Sequence, residues 1–339
     1  MDRLLIFGDT SLIFPQILIQ EIYSFIKERE DVTICGVVDT TKCKSPSKLM
    51  RILKGLGPPL VKKVFNFEQK LNLRSDMFNN LYDVCSKLNI KVIVPPRRDI
   101  NGQESINFLR ESVRPTMGLS VGCLQVFKRD LIHLFDILVN YHNGLLPAYG
   151  GLHATSWSIY FAEKYTGFTY HLVSETIDGG NILLQDKIRF DGSDGTSDLE
   201  YLKTVKAAKY IGNVLNKMVA RDRGIPQERE RTYFGRKEFE AMTTINDPCE
   251  LTYREIERRL FAFKWLKIKI HGIYYPVTKI REHNATSTHN KKLVFITKDH
   301  IPVKPLRFLY LPISFYKIYS FIRKCLIHSN LSLLFMVIF

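Results

Sequence analysis

Two short stretches carry side chains able to act on a carbonyl centre. The first is Asn140-Tyr141-His142-Asn143-Gly144-Leu145-Leu146-Pro147-Ala148-Tyr149-Gly150-Gly151, which leaves an apolar run at 137–141 and enters a turn rich in Pro and Gly. Asn140 and His142 are two residues apart, so in an extended chain both side chains point to one side. An amide donor beside an imidazole is what a developing oxyanion needs. The second stretch is Glu175-Thr176-Ile177-Asp178-Gly179-Gly180-Asn181-Ile182-Leu183. Here a carboxylate precedes two glycines in a loop whose backbone can approach a ligand closely. Taken alone, the first is also the pattern of a strand-end Asn capping a turn beside a core histidine, and the second that of an ordinary Asp-Gly turn.

The surrounding sequence supplies elements to hold these groups. Strands are predicted at 4–7, 32–38, 91–94, 117–121 and 137–141, with helices at 11–26, 104–112 and 127–134 between them. Short apolar strands alternating with helices predict a mostly parallel sheet covered on both faces. Ligands of such sheets sit beyond the carboxyl ends of the strands, where Asn140 and His142 fall. A helix at 155–164, strands at 168–173 and 182–188 flanking a loop, and one long helix at 198–218 complete the first module. Residues 223–250 are polar and read as a linker. A helix at 253–263 and β-rich runs at 268–280 and 293–297 predict a small β-containing domain. The chain ends in an apolar stretch, 326–339, too short to span a bilayer.

Composition narrows the function further. The 339 residues are 45% apolar and 24% charged, which suits a globular protein of two domains and excludes a mainly disordered chain. No uncharged apolar run reaches about 18 residues, which argues against stable membrane insertion. The net charge of +15 is unevenly placed: residues 1–200 carry 23 Lys+Arg against 23 Asp+Glu, residues 201–339 carry 26 against 11. The basic part either faces an anionic partner or is a solvated surface. A second basic stretch, 41–64, includes Lys42, Lys44, Lys48, Arg51, Lys54, Lys62 and Lys63 and no acidic residue. The six cysteines form no Cys-x-x-Cys pair, and Cys325 with His328 does not make a metal site. They read as reduced thiols of a cytoplasmic protein, and the N-terminus reads as a first strand rather than a signal peptide. Gly8-Asp9-Thr10-Ser11 lacks the Gly-x-Gly-x-x-Gly loop of a nicotinamide dehydrogenase.

Together, Asn140, His142, Leu145-Leu146-Pro147 and Asp178, 38 residues after Asn140, resemble the formyltransferases that use 10-formyltetrahydrofolate. That family includes glycinamide ribonucleotide, methionyl-tRNA and sugar N-formyltransferases. Thr166-Gly167-Phe168-Thr169-Tyr170-His171 is similar to the family's strand before the Asp loop. The resemblance covers residues 80–190 well and 1–80 loosely. It implies an α/β, Rossmann-like, mostly parallel sheet in a catalytic domain over 1–222; beyond it the residue pattern predicts a linker over 223–250, a smaller basic β-containing domain over 251–325, and the apolar tail over 326–339.

The resemblance also implies a reaction. An acceptor amine attacks the formyl carbon of 10-formyltetrahydrofolate as co-substrate, without a metal. Asn140 and a protonated His142 stabilise the oxyanion, while Asp178 holds His142, favours its charged form and helps collect the amine proton. Leu124, Gln125 and Phe127 would line the folate pocket, with Ile177, Gly179 and Gly180 on its far wall; Leu124 and Phe127 read equally well as core. His153 and His171 read as structural. Asn143-Gly144 stands where many relatives have Pro-Ser or Ala-Ser, and Gly150 where many have Arg, so the acceptor stays open. Gly151-Leu152-His153 and Asp178-Gly179-Gly180 look like the glycinamide ribonucleotide enzymes, and the added domain like the tRNA or sugar enzymes. The expected acceptor is an amino-sugar nucleotide. The alternatives are initiator tRNA held by the basic C-terminal half, water in a formyltetrahydrofolate hydrolase, or a catalytically dead folate- or nucleic-acid-binding protein.

Overall fold

A computed structural model describes residues 1–10, 12, 14–41, 81–282 and 294–306. The basic stretch from Lys42 to Lys63 and the apolar tail at 326–339 lie outside the described residues. The described residues form two units, one drawn from 1–158 and 164–234, the other from 159–163 and 235–306.

The first unit begins with β1 (Asp2–Gly8), α1 (Phe14–Ile26) and β2 (Val32–Asp39). It continues through α2 (Leu81–Lys87), β3 (Val92–Ile93), α3 (Gln103–Phe108), β4 (Met117–Ser120), α4 (Arg129–Ile132) and β5 (Ile137–His142). After β6 (Gly150–Gly151) and α5 (Ala154–Tyr160) come β7 (Tyr165–Leu172) and β8 (Ile182–Arg189). Two helices, α6 (Thr196–Ala208) and α7 (Ile211–Val219), and the short β9 (Tyr233–Phe234) follow. Seven strands form one sheet in the order β3-β2-β1-β4-β5-β7-β8. The first five are parallel, and β7 and β8 join antiparallel.

Strand alternation divides the core. Leu4, Ile6, Val139, Tyr141, Phe168 and Tyr170 turn to one face, where Leu18, Ile19, Ile22, Val214 and Met218 cover them. Leu5, Phe7 and Leu138 turn to the other, against Leu131 and Phe135. A strand buried on both faces needs apolar residues at successive positions, which Leu4-Leu5-Ile6-Phe7 provides. Because Val139 and Tyr141 belong to the first face, Asn140 and His142 are directed to the second.

The predicted strands and helices of this unit are present with shifted bounds; the helix expected at 104–112 is α-helical to Phe108 and widens to a π-helical turn over Leu109–Val113, and three further helices differ in extent. The helix expected at 198–218 is two. Lys209 N bonds Ala207 O and Lys206 O, and at the break Tyr210 packs on Phe168 (5.9 Å between ring centres) and donates to Asp186 (2.7 Å). The helix expected at 127–134 is the single turn α4, since Phe127 is drawn into an edge-on contact with Phe7 (5.1 Å). The helix expected at 155–164 stops at Tyr160, and Ala162 lies at φ 53°.

The second unit holds α8 (Arg236–Thr243), β10 (Thr244–Ile245), α9 (Tyr253–Phe263), β11 (Leu266–Ile270) and β12 (Ile273–Val277). β13 (Lys279–Glu282), β14 (Phe295–Ile296) and β15 (Pro302–Leu306) complete it. The stretch expected to be a linker therefore carries β9, α8 and β10, and the second unit starts inside it at Gly235. The helix α9 has the bounds expected from sequence. β11 and β12 form a hairpin whose turn, His271-Gly272, takes positive φ at both residues (48° and 80°), as a two-residue turn between twisted strands requires. Ile256, Leu260, Leu266, Ile268, Ile270, Val277 and Val303 form its core.

Among the described residues no helix is long and apolar enough to cross a membrane, and no cluster of His, Cys, Asp and Glu could hold a metal. Cys35, Cys85 and Cys249 are free thiols, and burial pushes Cys35 and Cys85 up to about 11. Thr252 caps α9, its Oγ1 accepting from Glu255 N at 3.2 Å. Thr252→Ala should cost about 1 kcal/mol of the second unit's stability, read as a lower denaturant midpoint for a probe in α9.

Candidate active site

The site grows from the carboxyl end of β5. In the antiparallel pairing with β7, Asn140 stands opposite His171 and His142 opposite Thr169. Directly opposed residues share a face, so Asn140, His142 and His171 gather on one side of the sheet. The His171 ring donates from Nδ1 to Leu172 O (2.8 Å), and its Nε2 lies 3.1 Å from Asn140 Nδ2. His142 directs Nε2 at Tyr149 O (2.8 Å).

Asp178 reaches this cluster from the loop between β7 and β8. Its Oδ2 lies 3.7 Å from His142 Nδ1 and its Oδ1 3.5 Å from His171 Nε2, so one carboxylate bridges two imidazoles at charge-interaction distance. Gly151 N donates to Oδ2 at 2.7 Å. Asp178 takes a left-handed backbone (φ 52°), which Asp tolerates better than most residues. The loop folds so tightly that a Cβ on Gly180 would meet Leu172 O at 1.9 Å. Glycine is thus obligatory there.

A segment from the expected linker holds this arrangement together. Ile225 and Ile182 exchange backbone hydrogen bonds (2.8 and 2.9 Å). Gln227 Nε2 donates to the carbonyls of Asp178 (2.9 Å) and Gly180 (2.7 Å), and Arg231 Nη2 to that of Ile177. Thr232 Oγ1 accepts from Tyr149 N (2.8 Å), and β9 pairs with β6. Phe234 stacks on Trp157 at 4.2 Å. Residues 225–234 are therefore a strap tying the turn after His142 to the loop of Asp178. Sequence reasoning missed its role because a polar stretch without periodicity has no signature; the aromatic pair Tyr233-Phe234 beside Gly235 was its only signal.

The electrostatics correct one expectation. His142 was expected to be protonated beside Asp178. Burial instead pushes the His142 imidazole below its ordinary value, outweighing the pull of Asp178, and the nearby His171 and Lys203 push it the same way. Burial would raise Asp178, but His142, His171 and the Gly151 N–H hold the carboxyl well below the usual range, so it is ionised.

The remaining expected residues are placed as follows. Leu124 and Ile177 are 57% and 41% exposed apolar side chains. Gln125 is buried, donating from Nε2 to Thr40 O (2.7 Å) and Arg98 O (3.1 Å). Phe127 packs on Phe7, and Gly179 N closes the loop onto Thr176 O (3.0 Å). His153 is exposed, whereas His171, expected to be structural, lies inside the cluster.

Residues 68–212 match the protein family described as formyl transferase. The match spans less than half of the chain and includes Asn140, His142 and Asp178. Over 99 residues it is 36% identical to GDP-perosamine N-formyltransferase of Brucella melitensis, covering 29% of this chain and 38% of that relative. Over 162 residues it is 30% identical to methionyl-tRNA formyltransferase of Thermodesulfovibrio yellowstonii, covering 46% and 49%. The chain thus spans less than half the length of these two curated relatives. A sugar N-formyltransferase from Shewanella sp. FDAARGOS_354 shares the fold, with a TM-score of 0.58 at 18% identity over 82% of this chain and 96% of that one. An N-formyltransferase from Helicobacter canadensis, solved with folinic acid and dTDP-3-aminofucose, superposes with a TM-score of 0.51 at 16% identity over 90% and 99%.

Two outcomes follow from this geometry. Since His142 is depressed in the folded state, the unfolded chain takes up its proton first as pH drops below the ordinary 6.5. Stability present above pH 6.5 should decline as the pH falls through the folded value, with the share of Asp178 lost only below its ordinary 3.8. Denaturant midpoints between pH 8 and pH 3 should show the first decline, and His142→Asn should remove it. Gln227→Leu strips a donor from two carbonyls and should cost about 1–3 kcal/mol, with faster amide exchange in residues 176–180 read by mass spectrometry.

Proposed function

We propose that the protein moves a formyl group from 10-formyltetrahydrofolate to the amine of an amino-sugar nucleotide. The observation that carries this reading is the convergence of Asn140, His142 and Asp178 on one face at the sheet's carboxyl edge, within a formyl transferase domain. The sugar acceptor is supported by the GDP-perosamine relative and by the fold shared with structures of sugar N-formyltransferases. The exposed apolar side chains Leu124 and Ile177 suit the rings of the folate co-substrate.

In this mechanism the acceptor nitrogen attacks the formyl carbon and the carbonyl electrons move onto oxygen. Asn140 offers that oxygen the amide hydrogen not engaged by His171, in a site where a preorganised donor counts for more than in water. The ionised Asp178 draws the proton from the attacking nitrogen, directly or through the neutral His142 ring. The tetrahedral centre then collapses, the bond from carbon to the folate nitrogen breaks, and that nitrogen takes up the proton. Formylated amine and tetrahydrofolate are released. The strap acts by holding His142 and Asp178 in one geometry, which is where much of the acceleration from orientation arises.

The test is release of tetrahydrofolate from 10-formyltetrahydrofolate by the full chain with amino-sugar nucleotides, with charged initiator tRNA, or with no acceptor. Release that requires a sugar nucleotide and responds only modestly to salt supports the proposal. Release that requires tRNA and collapses as salt rises would replace it with the tRNA reading, and release without an acceptor with hydrolysis. His142→Ala should lower turnover by about 10²–10⁴-fold with an unchanged circular dichroism spectrum. A fully active variant would sink the assignment of the site.

A further inference from the structure

Lys203 is the one lysine among the described residues with no exposed surface. Lysines are almost never fully buried unless their charge has partners. Its helix α6 delivers the ammonium into the interior of the first unit, where Nζ donates to Asn143 O (2.9 Å), Thr155 Oγ1 (2.6 Å) and Thr166 Oγ1 (3.3 Å). Those acceptors come from the turn after β5, from α5 and from β7. Among the described residues the carboxylate that acts on it is Glu200, one turn earlier on the same helix. A cation in this setting costs stability that a methionine would not, so the position calls for another explanation.

The carbonyl that Lys203 holds belongs to the residue directly after His142. The next residue, Gly144, lies against the imidazole so closely that a Cβ there would be 2.8 Å from His142 Nε2. Thr169 Oγ1 donates to Gly144 O (2.7 Å) and accepts from Leu146 N (3.1 Å). The turn under the ring is therefore fastened from the core side at Asn143, Gly144 and Leu146, and Lys203 is its charged fastening. Burial pulls the Lys203 ammonium down to about 7, against the opposing effect of Glu200, and its charge acts on His142 from the interior.

We propose that Lys203 is a positioning residue of the formyl-transfer site: by binding the Asn143 carbonyl it sets the turn on which the His142 ring rests, and it places a positive charge behind that ring. The proposal rests on the formyl-transfer reading for its kinetic part only. The charged and titratable groups facing Lys203 are Glu200 on its own helix and His142 at the end of β5; the groups from α5 and β7 are threonine hydroxyls.

The test compares the full chain with Lys203→Met, which keeps the length and removes the charge, and with Lys209→Met, the same substitution at the exposed C-terminal cap of α6. The readouts are kcat and KM for 10-formyltetrahydrofolate and the pH titration of the His142 ring by NMR, assigned against His142→Asn. Lys203→Met should lower kcat on the order of 10²-fold, the size expected when a reacting group is displaced by about 1 Å, with KM within about twofold. The His142 titration should move to higher pH, because a repelling cation is gone. Lys209→Met should keep both near wild type. A Lys203→Met protein that melts earlier but retains kcat and the His142 titration would make Lys203 merely structural and overturn the proposal. Should that variant not fold, Lys203→Gln, which keeps a donor for the Asn143 carbonyl and removes the charge, decides: the His142 titration should again move to higher pH, and an unmoved titration overturns the proposal. Absence of turnover with every acceptor would refute the formyl-transfer reading, while the ring titrations would still decide whether Lys203 acts on His142.

Discussion

The buried carboxylate of Asp178 sets the terms for the rest of the site. A charge removed from water is costly unless partners replace the lost hydration. Here the partners are two imidazoles, His142 and His171, and the N–H of Gly151, each from a different part of the chain. Bringing them to one carboxylate requires β5 and β7 to be paired in one register, the 146–152 turn to fold back, and the 173–181 loop to lie over the sheet. A slip of one residue between β5 and β7 would send His171 into the apolar face occupied by Phe168 and Tyr170.

Burial also sets the chemistry that the groups can do. The environment that strengthens each interaction opposes a second charge, and His142 is drawn toward its neutral form despite the anion beside it. Asp178 keeps the negative charge because it has three stabilising contacts and a backbone fixed by Gln227. A fixed base beside a neutral imidazole and an amide donor is an arrangement for collecting one proton while supporting one oxyanion. Lys203, reaching the turn from the opposite side, belongs to the same balance of charge.

Much of this was legible along the chain. The apolar run Leu4-Leu5-Ile6-Phe7 indicated a strand buried on both faces, and the two-residue spacing of Asn140 and His142 put them on one side of a strand. Asp178-Gly179-Gly180 indicated a tight loop, and Gly180 proves to lie against Leu172 O. The long helix expected at 198–218 failed because Tyr210 gains a ring contact with Phe168 and a bond to Asp186 that a straight helix would not offer. His171 was read as structural because its role depends on which residue lies across from it.

The sequence by itself determined the local pattern: which residues alternate, where turns form, and which side chains carry the chemistry. Those features follow from backbone geometry over a few residues, and the chain specifies them without reference to distant partners. Only the tertiary structure decided that Asn140 faces His171, that Gln227 and Arg231 belong to the Asp178 loop, and that Lys203 is buried under the turn after His142. Each of these joins residues dozens of positions apart. Strand register and loop closure settle them, through burial of the whole core, so no short window of sequence contains them.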